Sequence, residues 1–283
     1  MQAFYIDRPG DGGQRFCIYY PAQGGRARGQ ILHLHPFAEE LNKTRRMSAL
    51  QARAFAAAGF DVLQIDLLGC GDSSGDFGDA SWQAWIDDGL AGIEWLRLQA
   101  DPSTPLCLWG LRAGSLLAVE LARRLSEPAD LLLMQAPASG KVLLQQFLRL
   151  KLAAGLMDGD NKGLMTALRQ SLAAGETVEI AGYRLSGALA QGLEAATMLP
   201  PTWCDGAPRL AWLELSGQLG AELTPVASQT LARWQQAGYR IDARCVLGPA
   251  FWQTSEIEIA PQLIEAATAM LGQSLPQPTA TPP

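Results

Sequence analysis

The chain has 283 residues, with 22 basic and 28 acidic side chains and a formal net charge of −6. Hydrophobic residues make up 48% of it, a globular composition that excludes a disordered chain and needs no metal or disulfide framework to form a core. The acidic balance argues against a nucleic-acid partner, because phosphate neutralisation requires clustered lysine and arginine.

Cysteine usage and hydropathy point to the same compartment. The five cysteines are scattered and include no Cys-x-x-Cys pair, which favours free thiols in a reducing environment. No apolar run reaches the ~18 residues of a membrane span, and the N-terminus has no apolar signal segment. We therefore expect a cytoplasmic protein without membrane insertion.

Short apolar runs of strand length alternate with helical patterns along the chain. In chain order the runs are RFCIYY, ILHLH, FDVLQID, PLCLW, DLLLMQA, RLAWLEL and IDARCVL. Composition and apolar spacing predict helices over residues 44–58, 81–99 and 113–125. This alternation is typical of a mainly parallel sheet that is covered by helices on both faces.

The alternation breaks between residues 139 and 208. Helical segments at 140–157, 161–174 and 185–198 surround the alternating stretch ETVEIAGYRLS there. An insertion of this size predicts a lid over a site on the sheet edge, and a structural subdomain is compatible with the same pattern. The expected organisation is a core of residues 1–138 and 209–272, with a closing helix at 261–271, a lid insertion at 139–208 and a disordered tail at 273–283.

Three segments follow predicted strands, where open α/β sheets carry their functional residues. They are LHLHPFAEE, QIDLLGCGDSSG and LWGLRAG. Their order and spacing match the α/β-hydrolase layout, in which the last is the Gly-x-X-x-Gly nucleophile elbow. We therefore expect an α/β-hydrolase fold with an eight-stranded, mostly parallel sheet, helices on both faces and a helical lid.

The centre of this elbow departs from hydrolase chemistry. Gly110 and Gly114 are present, but Arg112 stands between them, and a guanidinium cannot attack a carbonyl. The two histidines, His33 and His35, come early, whereas the fold takes its general base from the loop after the last strand.

The loops that would supply the base and the acid offer other residues. The base loop reads GPAFWQTSEIE and presents Trp252, Gln253 and Glu256. In the acid loop, Gly220 falls near the usual place and Glu222 is the nearest carboxylate. The sequence therefore predicts that a Ser-His-acid triad is missing.

Arg112 suggests an anion pocket. It precedes a helix whose free backbone N–H groups and dipole already favour negative charge. The backbone N–H of Phe37, after the third strand, would add a further donor. This hypothesis predicts a site for a carboxylate, a phosphate or an acidic sugar, with the ligand-binding residues Arg112, Phe37, Leu111 and Ala113.

Several charged or nucleophilic residues are open to more than one interpretation. Arg112 is equally expected to form a structural ion pair with Glu39 or Glu40, and the same two carboxylates are candidates to assist catalysis. Cys70 and His35 would form a Cys-His pair, although a buried inert cysteine is commoner.

The histidines also suggest metal binding, because His33 and His35 alternate along one strand, with Asp66 beyond. Two ligands without a clear third make a poor site. We expect no metal and no cofactor.

The sequence also resembles a known family. The segments HPFAEELNKTRRM, GCGDSSGDFGDASWQAW and LWGLRAG are similar to the α/β-hydrolase-superfamily proteins associated with the exosortase system, specifically the second of its two hydrolase types. The similarity extends to FWQTSEIE near the C-terminus. The resemblance implies a bacterial cytoplasmic protein encoded near machinery for exopolysaccharide production and exosortase-dependent sorting, with a possible partner from that locus.

Two functional hypotheses follow. In the first, the protein is a non-classical hydrolase or acyl-transfer enzyme that acts on an ester or glycan-linked substrate. In the second, it is a catalytically inactive pseudo-hydrolase that binds an anionic ligand or a partner protein. The chemistry of the elbow favours the second hypothesis, and family membership favours the first.

Overall fold

The computed structural model describes residues 1–8, 10, 13–154, 161–201 and 207–272. Ten strands lie in these ranges: β1 (Gln2–Arg8), β2 (Gly13–Tyr20), β3 (Gly29–Leu34), β4 (Phe60–Ile65), β5 (Leu106–Leu111), β6 (Asp130–Met134), β7 (Val178–Ile180), β8 (Tyr183–Leu185), β9 (Arg209–Ser216) and β10 (Arg240–Leu247).

Eight of these strands form one sheet in the order β1-β2-β4-β3-β5-β6-β9-β10. Strand β2 pairs antiparallel with β1 and β4, and the remaining neighbours are parallel. The central strands β3 and β5 are buried along their whole length, because helices cover both faces of the sheet. The predicted eight-stranded, mostly parallel sheet is confirmed.

The helices pack on the two faces of this sheet and in the insertion. Those of the described residues are α1 (Glu39–Ala57), α2 (Trp82–Gln99), α3 (Ala113–Ala122), α4 (Gly140–Ala154), α5 (Asn161–Ala173), α6 (Gly187–Ala195), α7 (Pro225–Gln236) and α8 (Pro261–Gly272). One core cluster joins one face of the sheet to α1 and α8, and a second joins the other face to α2, α3 and α7. The two faces therefore have separate apolar cores.

Several boundaries differ from the sequence predictions. Helix α1 begins at Glu39, five residues before its predicted start, because two glutamates in its first turn favour a helix N-terminus. Helix α6 is shorter than predicted at both ends, and Leu185 belongs to strand β8 instead. Strand β1 and helix α7 were not among the predicted elements.

The insertion packs over one edge of the sheet. Strands β7 and β8 form an antiparallel hairpin with its turn at Ala181 and Gly182. Helix α4 packs against α6, and the N–H of Gly140 donates to the carbonyl of Ala196 at 3.0 Å. The predicted extension of α4 to residue 157 and the tail at 273–283 lie outside the described residues. In the described ranges, no helix has the length and apolarity that a membrane span requires.

Candidate functional site

A cavity of about 470 Å³ lies at the carboxyl edge of the sheet, between the elbow after β5 and helix α4. Its roof is formed by four residues at helical spacing on one face of α4, and they are Leu143, Gln146, Phe147 and Leu150. Phe37, Glu39, Glu40 and Arg112 also line it, and Gln253 closes it from the loop after β10. The cavity therefore combines apolar rings with five charged or amide side chains.

Arg112 occupies a strained turn between β5 and α3. Its backbone has φ 53° and ψ −119°, a conformation that non-glycine residues rarely adopt. The Arg112 N–H donates to the Met134 carbonyl at 3.0 Å, and the Ser115 N–H donates to the Arg112 carbonyl at 2.9 Å. A Cβ atom on Gly114 would lie 1.9 Å from the Leu34 carbonyl oxygen, so glycine is required there. The sharp nucleophile-elbow geometry is thus present with arginine at its centre.

The guanidinium of Arg112 is ion-paired with Glu40. Its Nε lies 3.2 Å from both carboxylate oxygens, and its Nη2 lies 3.0 Å from Oε1. The two side chains are only 9% and 14% exposed. Gln146 Oε1 accepts a further bond from Nη2 at 3.4 Å. Of the two alternatives that the sequence left open, the structure contains the ion pair, and it selects Glu40 over Glu39.

The pair also fixes the charge of the site. Burial raises the pKa of Glu40, and the neighbouring Arg112 guanidinium opposes that shift. Glu40 compensates the charge of Arg112. The guanidinium that the sequence predicted to bind an anionic ligand is therefore already paired within the protein. With Glu39 included, the cavity lining carries two carboxylates and one guanidinium, which does not favour an anionic ligand.

The loop after β10 places an indole against Arg112. The Trp252 ring centroid lies 5.4 Å from the guanidinium carbon, within cation–π range, and the side chain is buried. Trp252 therefore packs on the elbow from the loop where hydrolases of this fold carry their histidine. Glu256 is exposed.

Both ring nitrogens of His35 form hydrogen bonds with backbone groups. Its Nδ1 lies 2.6 Å from the Pro36 carbonyl and its Nε2 accepts the Leu67 N–H at 3.2 Å. The proton therefore lies on Nδ1, and both ring nitrogens are used. Burial lowers the pKa of His35, which keeps the ring neutral. This geometry leaves no free nitrogen to activate a thiol.

Cys70 lies in a hydrogen-bonded turn. Its N–H donates to the Leu67 carbonyl at 2.9 Å, and its carbonyl accepts the Ser73 N–H at 3.1 Å. The side chain is buried, and this burial raises the pKa of the thiol well above its ordinary value. A thiol that is protonated and enclosed fits a structural role.

Asp66 holds the same turn to α1. Its Oδ2 accepts from Arg45 at 2.9 Å and from the Asp72 N–H at 3.1 Å. His33 is buried and stacks on Trp109 with ring centroids 3.9 Å apart. In the part of the chain that the structure describes, no group of three His, Cys, Asp or Glu side chains is arranged to hold a metal ion.

The acid loop is anchored by a residue that the sequence analysis missed. Glu214, near the end of β9, is buried and accepts bonds from the Thr224 N–H at 2.9 Å and the Thr224 Oγ1 at 3.1 Å. It thereby ties β9 to the start of α7. Its sequence signal is a single carboxylate within the apolar run RLAWLEL. Glu222 and Gly220 are exposed.

The remaining predicted residues flank the ion pair. Leu111 and Ala113 are buried on either side of Arg112. The Phe37 ring lines the cavity and lies 4.9 Å from that of Phe147. Gln146, which the sequence analysis does not single out, faces Arg112.

Comparison with known proteins agrees with this architecture. A hydrolase family model described as serine aminopeptidase, S33, matches residues 25–159. Est1E from Butyrivibrio proteoclasticus, solved with ferulic acid bound, superposes with a TM-score of 0.68 at 14% identity, covering 95% of this chain and 98% of that one. The chain therefore has the α/β-hydrolase fold.

Further proteins are similar to this chain over different shares of their length. A soluble variant of monoglyceride lipase from Saccharomyces cerevisiae has a TM-score of 0.62 at 12% identity, covering 96% of this chain and 93% of that one. The human protein ABHD12B is 30% identical over 124 residues, which are 43% of this chain and 33% of that protein. Lysophosphatidylserine lipase ABHD12 of Danio rerio is 30% identical over 110 residues, or 38% and 27% respectively. The matched segments therefore span a third or less of these two relatives.

Replacing Glu40 tests the ion pair. We expect Glu40→Gln to lower the free energy of unfolding by about 3 kcal/mol, because it leaves a mostly buried guanidinium without its counter-charge. Glu39→Gln, at the neighbouring carboxylate, is the matched control and should change it by less than about 0.5 kcal/mol. Urea unfolding followed by circular dichroism measures both. Equal effects of the two variants would contradict this assignment.

His33 gives the protein a defined pH dependence. Burial lowers the pKa of His33 from 6.5 to about 3. Between these values the unfolded state binds the extra proton, so stability falls as the pH drops from 6.5 towards 3. We expect His33→Phe, which retains an aromatic ring against Trp109, to remove a slope of up to about 1.4 kcal/mol per pH unit. Urea titrations of the wild type and His33→Phe at several pH values in this range measure this pH dependence. If the unfolding free energies of the two proteins change in parallel with pH, His33 is not its source.

Proposed function

We propose that the protein is a ligand-binding member of the α/β-hydrolase superfamily without serine-hydrolase activity. The observation that carries the proposal is the Arg112–Glu40 ion pair at the elbow. It fills the position of the attacking hydroxyl with a cation and its counter-ion, and neither is a nucleophilic hydroxyl or thiol. His35 has both nitrogens engaged with the backbone, so it supports no transfer of a proton at the cavity.

The cavity lining favours a neutral, polyhydroxylated ligand such as a glycan fragment. Glu39 accepts hydrogen bonds, and the amides of Gln146 and Gln253 can both donate and accept them. The rings of Phe37 and Phe147 supply apolar faces against which a sugar ring can pack. An acidic ligand would meet two carboxylates whose charge a single guanidinium does not cancel.

The exosortase resemblance supports a biological setting for this binding. We propose a cytoplasmic bacterial protein that acts beside exopolysaccharide production and recognises a glycan-linked molecule or a partner from that locus. Recognition of the sugar portion requires no bond to be broken. A binding role is therefore consistent with both the chemistry of the cavity and the resemblance.

A second candidate function is an unconventional hydrolase or acyl-transfer enzyme. The match to a hydrolase family model and the retained elbow geometry favour it. Glu40 would then be the base, since burial raises its pKa towards a useful range. The three short contacts from Arg112 oppose this role, because they hold the carboxylate oxygens away from a water molecule.

Covalent labelling distinguishes the two functions. We expect no adduct of a fluorophosphonate probe by intact-mass spectrometry, and no turnover of p-nitrophenyl acetate above that of Glu40→Gln. Iodoacetamide should leave Cys70 unmodified in the folded protein, because its thiol is buried. A serine adduct, or ester turnover that Glu40→Gln or Cys70→Ala abolishes, would instead establish an enzyme.

Saturation-transfer NMR tests the ligand class. We expect neutral oligosaccharides to bind more tightly than uronic-acid oligosaccharides of the same length. Gln146→Ala and Gln253→Ala should each weaken binding about 5-fold, the effect of one lost hydrogen bond. Gln235→Ala, an exposed position on α7, is the matched control. Preference for the uronic acids, or unchanged affinity in both cavity variants, would contradict a neutral glycan ligand.

A further inference from the structure

Among the described residues, strand β10 is the last strand of the sheet. It pairs with β9 on one side, and no other strand of the described residues pairs with its outer side. Residues 241–247 are all partly exposed, in contrast to the buried central strands. An edge strand presents a row of free backbone donors and acceptors that can accept another strand.

The backbone register shows which residues face outward. The N–H of Arg240 donates to the Pro208 carbonyl, and the N–H of Gly248 donates to the Ser216 carbonyl. The even-numbered residues between them therefore bond to β9. The odd-numbered residues direct their N–H and C=O groups to the open edge, and they are Ile241, Ala243, Cys245 and Leu247.

The side chains of this strand are self-complementary in charge. Asp242 and Arg244 share one face and form an exposed ion pair, with Nη2 and Oδ2 2.9 Å apart. If a second copy runs antiparallel about a two-fold axis at Ala243, Asp242 lies opposite Arg244 of that copy, and the reverse pair forms by symmetry. These are non-hydrogen-bonded positions, where opposing side chains approach most closely.

The same axis also provides hydrogen-bond partners for the outward-facing N–H and C=O groups of β10. It places Ala243 opposite itself and Ile241 opposite Cys245, so that outward-facing groups meet in hydrogen-bonded pairs. Axes at Asp242 or Arg244 would set like charges against each other. An axis at Ala243 therefore pairs backbone hydrogen-bonding groups with each other and opposite charges with each other over residues 240–246.

We propose that two copies of this chain associate through β10, antiparallel about Ala243, and so join their sheets into one continuous sheet. The interface is isologous, as in most closed dimers. The residues after α8 are a poor competitor for this edge, because QSLPQPTATPP contains four prolines, which lack an N–H and interrupt a ladder. The copies bring Asp242 and Arg244 together in a four-charge cluster at the axis.

Charge reversal tests the register. By sedimentation velocity, we expect the full chain to be a dimer at micromolar concentration. Asp242→Arg should weaken it at least 10-fold, because arginine then opposes Arg244 of the other copy. The double variant Asp242→Arg/Arg244→Asp should restore it, since each charge is reversed together with its partner. Added salt should weaken the wild-type dimer.

The matched control is Asp101→Arg. It breaks another exposed ion pair, that of Asp101 with Arg26 at 3.2 Å, and changes the net charge by the same amount. It should leave the dimer unchanged. Equal weakening by Asp101→Arg, or failure of the double variant to restore the dimer, would overturn the proposed register.

Cross-linking gives a second measurement that does not depend on charge. Ala243→Cys should form an intermolecular disulfide under mild oxidation, because paired Cα atoms at the axis are about 5.5 Å apart. The wild type is the control, since the Cα atom of its Cys245 lies about 14 Å from that of its counterpart by strand geometry. A wild type that is monomeric together with an Ala243→Cys protein that does not cross-link would overturn the proposal. A dimer that forms only after residues 273–283 are removed would also overturn it and assign the edge to that segment.

Discussion

The site depends on one buried ion pair, Arg112 with Glu40. The elbow after β5 places its central residue at the carboxyl edge of the sheet. A charged side chain that is buried there requires a counter-charge close by. Glu40, in the first turn of α1, provides that charge through three contacts of 3.0 to 3.2 Å. The pair therefore joins β5 to α1 and determines the electrostatics of the cavity above it.

Two further elements contact the Arg112 guanidinium. The Trp252 ring stacks on the guanidinium from the loop after β10, and Gln146 bonds to it from α4. His35 stabilises the neighbouring loop through two backbone contacts. Trp252 and Gln146 therefore hold the guanidinium in place.

Much of the fold could be predicted from the sequence, because the central strands are continuous apolar runs. Strand β1 was missed since it lies at the sheet edge, where Phe4 and Ile6 alternate with exposed residues. The presence of Arg112 in the elbow could be predicted from its flanking glycines. Its choice of Glu40 could not, because neighbouring helical residues point about 100° apart and α1 starts earlier than predicted. The contact between Arg112 and Trp252 could not be predicted either, because 140 residues separate them along the chain.

The strained backbone at Arg112 has a wider meaning. Its φ of 53° is maintained by the Met134 carbonyl and by the close approach of Gly114 to Leu34. These contacts hold the turn with an arginine at its centre. The α/β-hydrolase fold can thus hold a cationic side chain at the point where it usually presents a nucleophile, so the backbone of this turn does not by itself restrict the chemistry of its central residue.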